Sequence, residues 1–303
     1  ANAPQGAAKG AALESRPGRY FEVTGTKNAG AAVQRRRFRE AIEQAFAGGQ
    51  LLPDFRGWED AFRYLTELVE RRATDRPDEP IVLFFDELPW LATPRSRLLE
   101  TIDYYWNRRL SRIPQVKLIL CGSAASWMLQ RIIRAKGGLH NRITRRIRLE
   151  PFTVREANAY LEARRIRLAK TELLELYMAL GGIPYYLSLV SRGQSVAETV
   201  GRLCFERSGD LQGEFARVFE SLFSDHEDHI AILRALARRQ EGITRPELIA
   251  ATRFDSGGNL NRRLQELEEA GFIARIEPYR KKVRSTLFRI VDEYTLFYLR
   301  WIE

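Results

Sequence analysis

Two adjacent carboxylates, Asp86 and Glu87, directly follow an apolar run at residues 81–85. A strand buried on both faces cannot hold a charged side chain, so the pair is expected at the strand's carboxyl end, where open α/β sheets bind ligands. There an aspartate can hold Mg²⁺ through water, and the neighbouring glutamate can orient or deprotonate a water molecule. This is the Walker B arrangement of nucleoside triphosphatases. The alternative is a strand-end pair that caps the following helix.

A second apolar run, residues 116–123, ends in Gly122 and Ser123. If both runs are parallel strands of one sheet, Ser123 lies at the same edge as Asp86 and Glu87. A hydroxyl there could contact a γ-phosphate or the attacking water. Taken alone, such a serine is more often a simple helix cap.

The elements that would position these residues follow a doubly wound α/β pattern. Residues 19–25 predict a short strand, and two amphipathic helices are predicted before the strand at 81–86. The first helix repeats apolar residues at Val33, Phe38, Ile42 and Phe46, and the second, begun near Trp58, repeats them at Ala61, Leu65 and Leu68. Strands alternating with helices predict a parallel sheet whose strands all end at one edge.

After Pro151 the pattern becomes helical only, and from His226 three helices are followed by alternating apolar and polar residues on both sides of a turn. Three helices and a β-hairpin predict a winged helix-turn-helix. The predicted domains are therefore an α/β core over 1–150, a helical lid over 151–224 and a winged helix over 225–303.

The composition excludes several classes of protein. With 303 residues, 45% of them hydrophobic and 29% charged, the chain predicts a folded, soluble protein. No apolar stretch is long enough for a membrane span or for a signal peptide. Two isolated cysteines, Cys121 and Cys204, fit a reducing cytoplasm better than a disulfide scaffold. The net charge of +10 weakly favours phosphate-bearing partners.

Several strings in this order resemble a known family. They are VLFFDELPWLAT, LILCGSAASWM, GGLHNRITRRIRLEPFT, GGIPYYL and the final winged-helix pattern. Together they resemble a family of prokaryotic AAA-type predicted ATPases. This family occurs in archaea and bacteria and is related to the STAND class. The resemblance runs from about Arg19 to Glu303. It implies a P-loop-NTPase-like parallel sheet, ATP and Mg²⁺ as cofactors, a helical lid and a C-terminal winged helix.

The resemblance also implies roles for individual residues. Asp86 would hold Mg²⁺, Glu87 would activate the catalytic water and Ser123 would sense phosphate. Gly181, Gly182 and Pro184 would open a helix of the lid near the adenine. Many members of the family continue into a nuclease-like domain, which this sequence does not contain.

The chain departs from the family at the P-loop, G-x-x-x-x-G-K-[ST], which should precede the strand at 19–25. Only QGAAKGAALE, residues 5–14, offers a partial match. Aligned on Gly10, the lysine position is Ala11 and the hydroxyl position is Ala12, so the phosphate-binding cation and a direct Mg²⁺ ligand are missing. Either the chain is a fragment that lost its P-loop or its nucleotide site has decayed. The absence of an initiator Met favours the fragment.

A basic run at residues 131–148 contains seven Lys or Arg and no acid. An arginine here could reach a γ-phosphate in cis or from a neighbouring subunit, which would require a homo-oligomer. The family resemblance favours Arg142 for this role, with Arg145 and Arg146 as second choices. The alternative is a solvated basic surface without function.

The predicted third helix of the winged unit contains residue types that recognise DNA bases. Leu260, Leu264 and Leu267 should face the core and leave Asn259, Asn261, Arg262, Arg263 and Gln265 exposed. Lys281 and Lys282, with their neighbours at the hairpin tip, could contact the phosphates of double-stranded DNA. Three glutamates at the end of the same helix argue against DNA, so a protein-docking role stays open.

Two hypotheses from different classes result. The first is an ATPase or ATP-driven switch in which the nucleotide moves the winged helix. The second is a catalytically inactive binding or regulatory module that keeps the architecture, recognises DNA or protein through the winged helix and lacks the P-loop.

Overall fold

The computed structural model describes residues 18–48, 50–123, 125–134, 139, 142–223, 225–252, 254, 258–277 and 286–303. Three residues predicted for a site, Gly10, Lys281 and Lys282, lie outside this part of the chain. The chain divides between Arg146 and Ile147 into two compact units, called here the N-terminal and the C-terminal unit. The predicted division into three domains stays a prediction.

The N-terminal unit contains a parallel three-stranded sheet in the order β1-β2-β3. The strands are β1 (Arg19–Thr24), β2 (Ile81–Asp86) and β3 (Val116–Leu120). Five consecutive residues of β2, from 81 to 85, are buried, as expected for the central strand of a parallel sheet. The predicted α/β class and the parallel pairing are therefore confirmed.

In the described part of this unit the helices are α1 (Ala31–Phe46), α2 (Trp58–Asp75), α3 (Leu88–Leu91), α4 (Leu98–Arg108) and α5 (Ala125–Met128). A 3-10 turn follows α4 at Leu110–Arg112, and a π-helical turn follows α5 at Leu129–Ile133. Residues of α1, α2 and α4 form one hydrophobic cluster with β1 and β2. Phe38 of α1 lies 5.2 Å from Phe21 of β1 between ring centroids, and Phe62 of α2 lies 5.8 Å from Phe85 of β2. These aromatic contacts hold the two helices against the sheet.

The C-terminal unit begins with helices alone between residues 151 and 223, as predicted. They are α6 (Val154–Ala163), α7 (Lys170–Leu180), α8 (Pro184–Ser188), α9 (Val196–Val200) with the π-helical turn Gly201–Phe205, and α10 (Glu214–Leu222). Three further helices of the described residues follow: α11 (His226–Ala237), α12 (Arg245–Ala251) and α13 (Gly258–Ala270), and α14 (Glu293–Trp301) ends the chain. One hydrophobic cluster contains residues of both groups.

A small antiparallel sheet in the order β4-β6-β5 accompanies the later helices. Its strands are β4 (Ile243–Thr244), β5 (Ile273–Ile276) and β6 (Leu287–Ile290). The predicted pairing of β5 with β6 is confirmed, with Ile273 opposite Ile290. The short strand β4 lies between two of the predicted helices, where the sequence predicts no strand, and it pairs with β6 through Ile243 and Thr244.

Candidate functional site

Asp86 and Glu87 lie at the carboxyl end of the central strand, where the sequence predicts them. Asp86 is the last residue of β2 and is half-buried. Glu87 has left-handed backbone angles, φ 48° and ψ 48°, which are uncommon for a residue with a side chain. This conformation turns the chain sharply from β2 into α3. The carbonyl of Glu87 then accepts the first helical hydrogen bond, from Trp90 N at 2.9 Å.

The side chain of Glu87 is held by the end of the neighbouring strand. Its Oε2 accepts a hydrogen bond from Ser123 Oγ at 2.9 Å and from Ser123 N at 3.2 Å. The carboxylate makes no capping bond to α3. The structure therefore joins Glu87 to the predicted phosphate-sensing serine, and the helix-cap alternative for this side chain is not observed.

Two glycines allow the close approach of the Glu87 turn to both neighbouring strands. A Cβ atom on Gly25, which follows β1, would lie 2.3 Å from the carbonyl oxygen of Glu87. A Cβ atom on Gly122, which follows β3, would lie 2.6 Å from Pro89 Cδ. Both distances are far below van der Waals contact, so only glycine fits at either position without movement of the turn.

A buried glutamine fastens the same turn from the other side. Gln34 of α1 is fully buried, and its Nε2 donates to the carbonyl of Thr26 at 2.7 Å and to that of Trp90 at 3.0 Å. Its Oε1 accepts from Thr26 N at 3.1 Å. One amide thus joins the loop after β1 to helix α3, which follows Glu87 in the chain. Gln34 was not predicted as a site residue, although it stands four residues before the buried Phe38 and so shares its helix face.

Asp86 has the properties required of a Mg²⁺ ligand. Within the described part of the chain its carboxylate has no hydrogen bond or ion pair, and it lies next to the Glu87–Ser123 pair. Among these residues no group of three or more His, Cys, Asp or Glu side chains could hold a metal by itself. A single carboxylate with water and phosphate oxygens is the way in which Mg²⁺ is commonly bound beside a nucleotide. The residues present therefore fit a magnesium that arrives with a phosphate ligand.

The arginines predicted to contact phosphate lie in the exposed part of the chain over residues 142–150. Arg142, Arg145 and Arg146 are all exposed. None has a hydrogen bond or ion pair to another residue of the described part. Their charges are available to an anion, and the predicted arginine-finger role stays a prediction.

Gly181, Gly182 and Pro184 join α7 to α8 in the C-terminal unit. Gly181 ends α7 with φ +67°, and a Cβ atom there would lie 3.1 Å from Glu293 Oε2. A Cβ atom on Gly182 would overlap the carbonyl of Phe152 at 1.9 Å, and Pro184 is the first residue of α8. The two glycines are thus required by close packing within this unit, and their predicted position near an adenine stays a prediction.

Helix α13 presents part of the predicted nucleic-acid surface. Leu260, Leu264 and Leu267 are buried as predicted, and Asn259, Asn261, Arg262 and Gln265 are exposed. Arg262 Nη2 donates to Asn259 Oδ1 at 3.2 Å, and Arg245 Nε donates to Asn261 Oδ1 at 2.8 Å. These polar groups therefore lie together on one exposed surface.

The expected exposure of Arg263 is wrong. Only 4% of the residue is exposed, and its guanidinium pairs with Asp225, with Asp228 at 3.2 Å and with Glu266 at 3.1 Å. The hydrogen bond from Arg263 lowers the pKa of Asp225. This arginine is a buried ion-pair centre that holds α13 to the start of α11.

The acidic end of α13 is also occupied by partners within the unit. Glu266 accepts from Arg263 and faces His229 Nε2 at 2.9 Å, and Glu268 pairs with Arg275 at 3.1 Å. Glu269 is buried. Because these carboxylates are paired or turned inward, they repel a polyanion less than the sequence alone indicates.

Comparison with known proteins gives few matches by sequence. No protein-family model matches the chain. An uncharacterized protein of Methanocaldococcus jannaschii, MJECL04, is 25% identical over 249 residues, which make up 81% of this chain and 51% of that protein. The chain thus spans about half the length of the curated relative that it matches.

Comparison of structures identifies the fold. The Walker-type ATPase PABY2304 of Pyrococcus abyssi superposes with a TM-score of 0.63 at 18% identity, over 95% of this chain and 85% of that one. A variant of RuvB from Thermotoga maritima has a TM-score of 0.38 at 15% identity, over 92% of this chain and 87% of that one. The chain has an α/β fold of the kind found in P-loop NTPases.

Proposed function

We propose that the chain is the Walker B and phosphate-sensing part of an AAA-type ATPase or ATP-driven switch. Mg-ATP would bind at the carboxyl end of the parallel sheet, with Asp86 on the magnesium and Glu87 on the attacking water. Ser123 would exchange its hydrogen bond to Glu87 for one to the γ-phosphate. The similarity in fold to a Walker-type ATPase supports this proposal.

The observation that carries the proposal is the pairing of Glu87 with Ser123. Glu87 has left-handed backbone angles, lies in a turn that requires two neighbouring glycines, and binds a serine at the end of a strand. Such a conformation costs free energy of folding, and the residue contributes little to the hydrophobic core. Next to it, Asp86 keeps a carboxylate that no described residue pairs. These two carboxylates can orient a water molecule and a magnesium ion beside a phosphate. A purely structural turn would not require them.

The 303 residues contain no G-x-x-x-x-G-K-[ST] sequence, so the P-loop contacts to ATP are missing from this chain. The missing lysine and hydroxyl would each supply a charge-assisted contact worth about 1.5–3 kcal/mol. We therefore expect millimolar, magnesium-dependent ATP binding by this chain and negligible turnover. An added strand with a P-loop would restore strong binding. Among the described residues β3 is an edge strand of the sheet, so an added strand would pair with its outer edge.

Calorimetric titration of the 303-residue chain with ATP, with and without Mg²⁺, tests the proposal. Asp86→Ala should weaken Mg-ATP binding about tenfold or more, because one charged contact is lost. Asp78→Ala is the matched control, since Asp78 is exposed and removes the same charge elsewhere in the unit. Equal affinities for the two variants would contradict the proposal. Micromolar ATP binding that is equally strong with and without Mg²⁺ would contradict the proposal as well.

A second candidate function is a non-hydrolysing regulatory module. Helices α11 to α13 with the sheet β4-β6-β5 have the element order of a winged helix-turn-helix, and the exposed Asn259, Asn261 and Arg262 favour double-stranded DNA as the partner. Duplex binding without nucleotide, by a chain that shows no Mg-ATP binding at millimolar concentration, would favour this function over the first. The same winged helix would be the effector domain of an ATP-driven switch.

The remaining expectations belong to the same proposal. An arginine finger from Arg142 in a neighbouring copy would require a homo-oligomer, and a nuclease-like domain would be a partner supplied outside these residues. In the described part of the chain, no helix is long and apolar enough to cross a membrane. A cytoplasmic location is the proposal that best fits Cys121 and Cys204, which form no disulfide.

A further inference from the structure

A cavity of about 410 Å³ opens in the C-terminal unit, between the end of α6 and the segment that follows α8. It is lined by Arg164, Ile166, Ser188, Val190, Ser191 and Arg192. The lining thus contains two cationic side chains and two hydroxyls and no acidic side chain. A volume of this size accommodates a group much larger than a water molecule.

Both arginines are fixed by the backbone, and neither is neutralised. Arg164 Nη1 donates to the carbonyl of Leu187 at 2.9 Å, and its guanidinium lies 5.7 Å from the ring centroid of Tyr160. Arg192 Nε donates to the carbonyl of Arg164 at 2.8 Å. Each guanidinium carries five N–H donors, so most of its donors are left for a ligand.

Several other arginines of the same unit differ in this respect. A carboxylate is the partner of each of Arg217, Arg234, Arg239, Arg263 and Arg275. No carboxylate lies within ion-pair distance of Arg164 or Arg192 among the residues that the structure describes. Two positive charges without a carboxylate partner therefore line one cavity, and an anion bound between them would contact both.

The remaining lining fits an anion with several oxygens. Ile166 and Val190 are buried and form an apolar floor beneath the polar lining. Ser191 is exposed at the rim, and its hydroxyl can donate, whereas the Ser188 hydroxyl already donates to Tyr185 O at 2.6 Å. Arg165 and Arg167 are exposed in the same loop as Arg164 and add positive charge near the cavity.

We propose that this cavity is a phosphate-binding site, in which the guanidinium groups of Arg164 and Arg192 hold the oxygens of one phosphate group. Phosphate is favoured over a simple halide because guanidinium donors match paired oxygen acceptors in a fixed fork. The group can belong to a free phosphate or to the backbone of a nucleic acid, since both present the same oxygens. The site is independent of the proposed nucleotide site at Asp86 and Glu87.

Titration of the 303-residue chain with inorganic phosphate in a low-salt chloride buffer tests the proposal. Arg192→Ala should weaken phosphate binding tenfold or more, and Arg192→Lys should weaken it severalfold, because the charge stays and the fork is lost. Arg155→Ala, an exposed arginine of the same unit outside the cavity, should leave the affinity unchanged. Ser191→Glu is a second test that removes no packing contact, and its carboxylate should abolish binding.

A parallel titration with a single-stranded oligonucleotide that has no terminal phosphate distinguishes the two sources. If Arg192→Ala weakens the binding of both ligands, the site accepts backbone phosphates. If it weakens only the binding of inorganic phosphate, the site is specific for a free phosphate group. Thermal unfolding of each variant without ligand verifies that it is folded. The proposal is overturned if the folded Arg192→Ala and Ser191→Glu variants bind phosphate and the oligonucleotide with unchanged affinity. The unchanged chain and Arg155→Ala give the reference affinities. Absence of any phosphate or oligonucleotide binding by the unchanged chain overturns it too.

Discussion

At the scale of single residues, the turn at Glu87 is held by several independent contacts in the N-terminal unit. A left-handed conformation at a residue with a side chain costs about 1–2 kcal/mol, and this one is retained by contacts on three sides. Gly25 and Gly122 leave room for the backbone, and Gln34 and Ser123 bind the turn and its carboxylate. Strain maintained in this way is common where a side chain must be aimed.

Replacement of Gly25 tests how tightly the turn is held. In Gly25→Ala the new methyl group would meet the carbonyl of Glu87 at 2.3 Å, and backbone on both sides prevents an easy shift. We expect the free energy of unfolding to fall by about 1–3 kcal/mol, as for other overpacked sites. Gly201→Ala is the control, because Gly201 has helical backbone angles and nothing lies within 4 Å of its added Cβ. Urea unfolding of both variants measures the difference, and equal stabilities would show that the turn is free to move.

Replacement of Glu87 tests its chemistry. In a version of the protein that carries a P-loop strand before this chain, Glu87→Gln should keep Mg-ATP binding and slow hydrolysis by about a hundredfold or more. The amide can still accept the bond from Ser123, so the turn should stay in place. Single-turnover hydrolysis and nucleotide affinity are the two measurements. Unchanged hydrolysis would identify the pair as a structural turn.

The residues that bind each other at this site were only partly predictable. Asp86, Glu87 and Ser123 follow apolar runs, and parallel strands must end at one edge, so their meeting followed from topology. Gln34 gave no such signal, because an isolated glutamine beside an apolar stripe is usually exposed. Its burial depends on three backbone carbonyls and one N–H that only the folded loops bring together.

At the scale of elements, the helices of the C-terminal unit begin with a recurrent device. Thr153, Ser195 and Thr244 stand before α6, α9 and α12, each with a glutamate three residues later. The backbone N–H of each cap residue donates to that glutamate at 2.7–2.9 Å. These boxes satisfy orphan backbone donors at the helix starts and make the helices start at defined residues.

The capping boxes predict a pH dependence of stability. Hydrogen bonds from the cap residues lower the pKa of Glu156, Glu198 and Glu247. Because the folded-state pKa is below the unfolded value near 4.5, their contribution is fully present above pH 4.5 and is lost as the pH falls through the lowered values. Replacing all three by glutamine should make unfolding free energy less dependent on pH below 4.5. Glu206→Gln, at an exposed position, is the control. Parallel pH profiles for both variants would contradict the prediction.

Element-scale prediction failed at two places for physical reasons. Strand β4 has only two residues and gives no alternation to detect, so its pairing with β6 depends on the rest of the sheet. Arg263 stands three residues after Leu260 and four before Leu267, which puts it on the buried face of α13. A charged side chain is usually exposed, so the sequence predicts exposure for Arg263. Its burial is possible because the carboxylates of Asp225 and Asp228, which are distant in sequence, form ion pairs with it.

At the scale of the whole molecule, the net charge of +10 is distributed unevenly. The carboxylates of α13 are paired within their unit, whereas Arg142, Arg145 and Arg146 are exposed and unpaired in the described part of the chain. Composition predicted an excess of positive charge, and only the fold determines which cations remain for a partner. An anion should therefore meet more positive surface than the balance of local sequence charges indicates.

Salt-dependent binding to duplex DNA tests this distribution, because phosphate contacts release counterions whereas base contacts discriminate by about 1–3 kcal/mol each. Removing Lys281 and Lys282 should weaken binding to all duplexes alike and reduce the salt slope by nearly two units. Asn261→Ala or Arg262→Ala should instead reduce preference among sequences, since these exposed side chains are of the types that recognise base edges. Arg207→Ala, exposed on another part of the unit, should change neither quantity. Gel-shift titrations at two salt concentrations separate the effects. If the unchanged chain has no affinity for duplex DNA at low salt, the exposed surface of α13 has to be assigned to a protein partner.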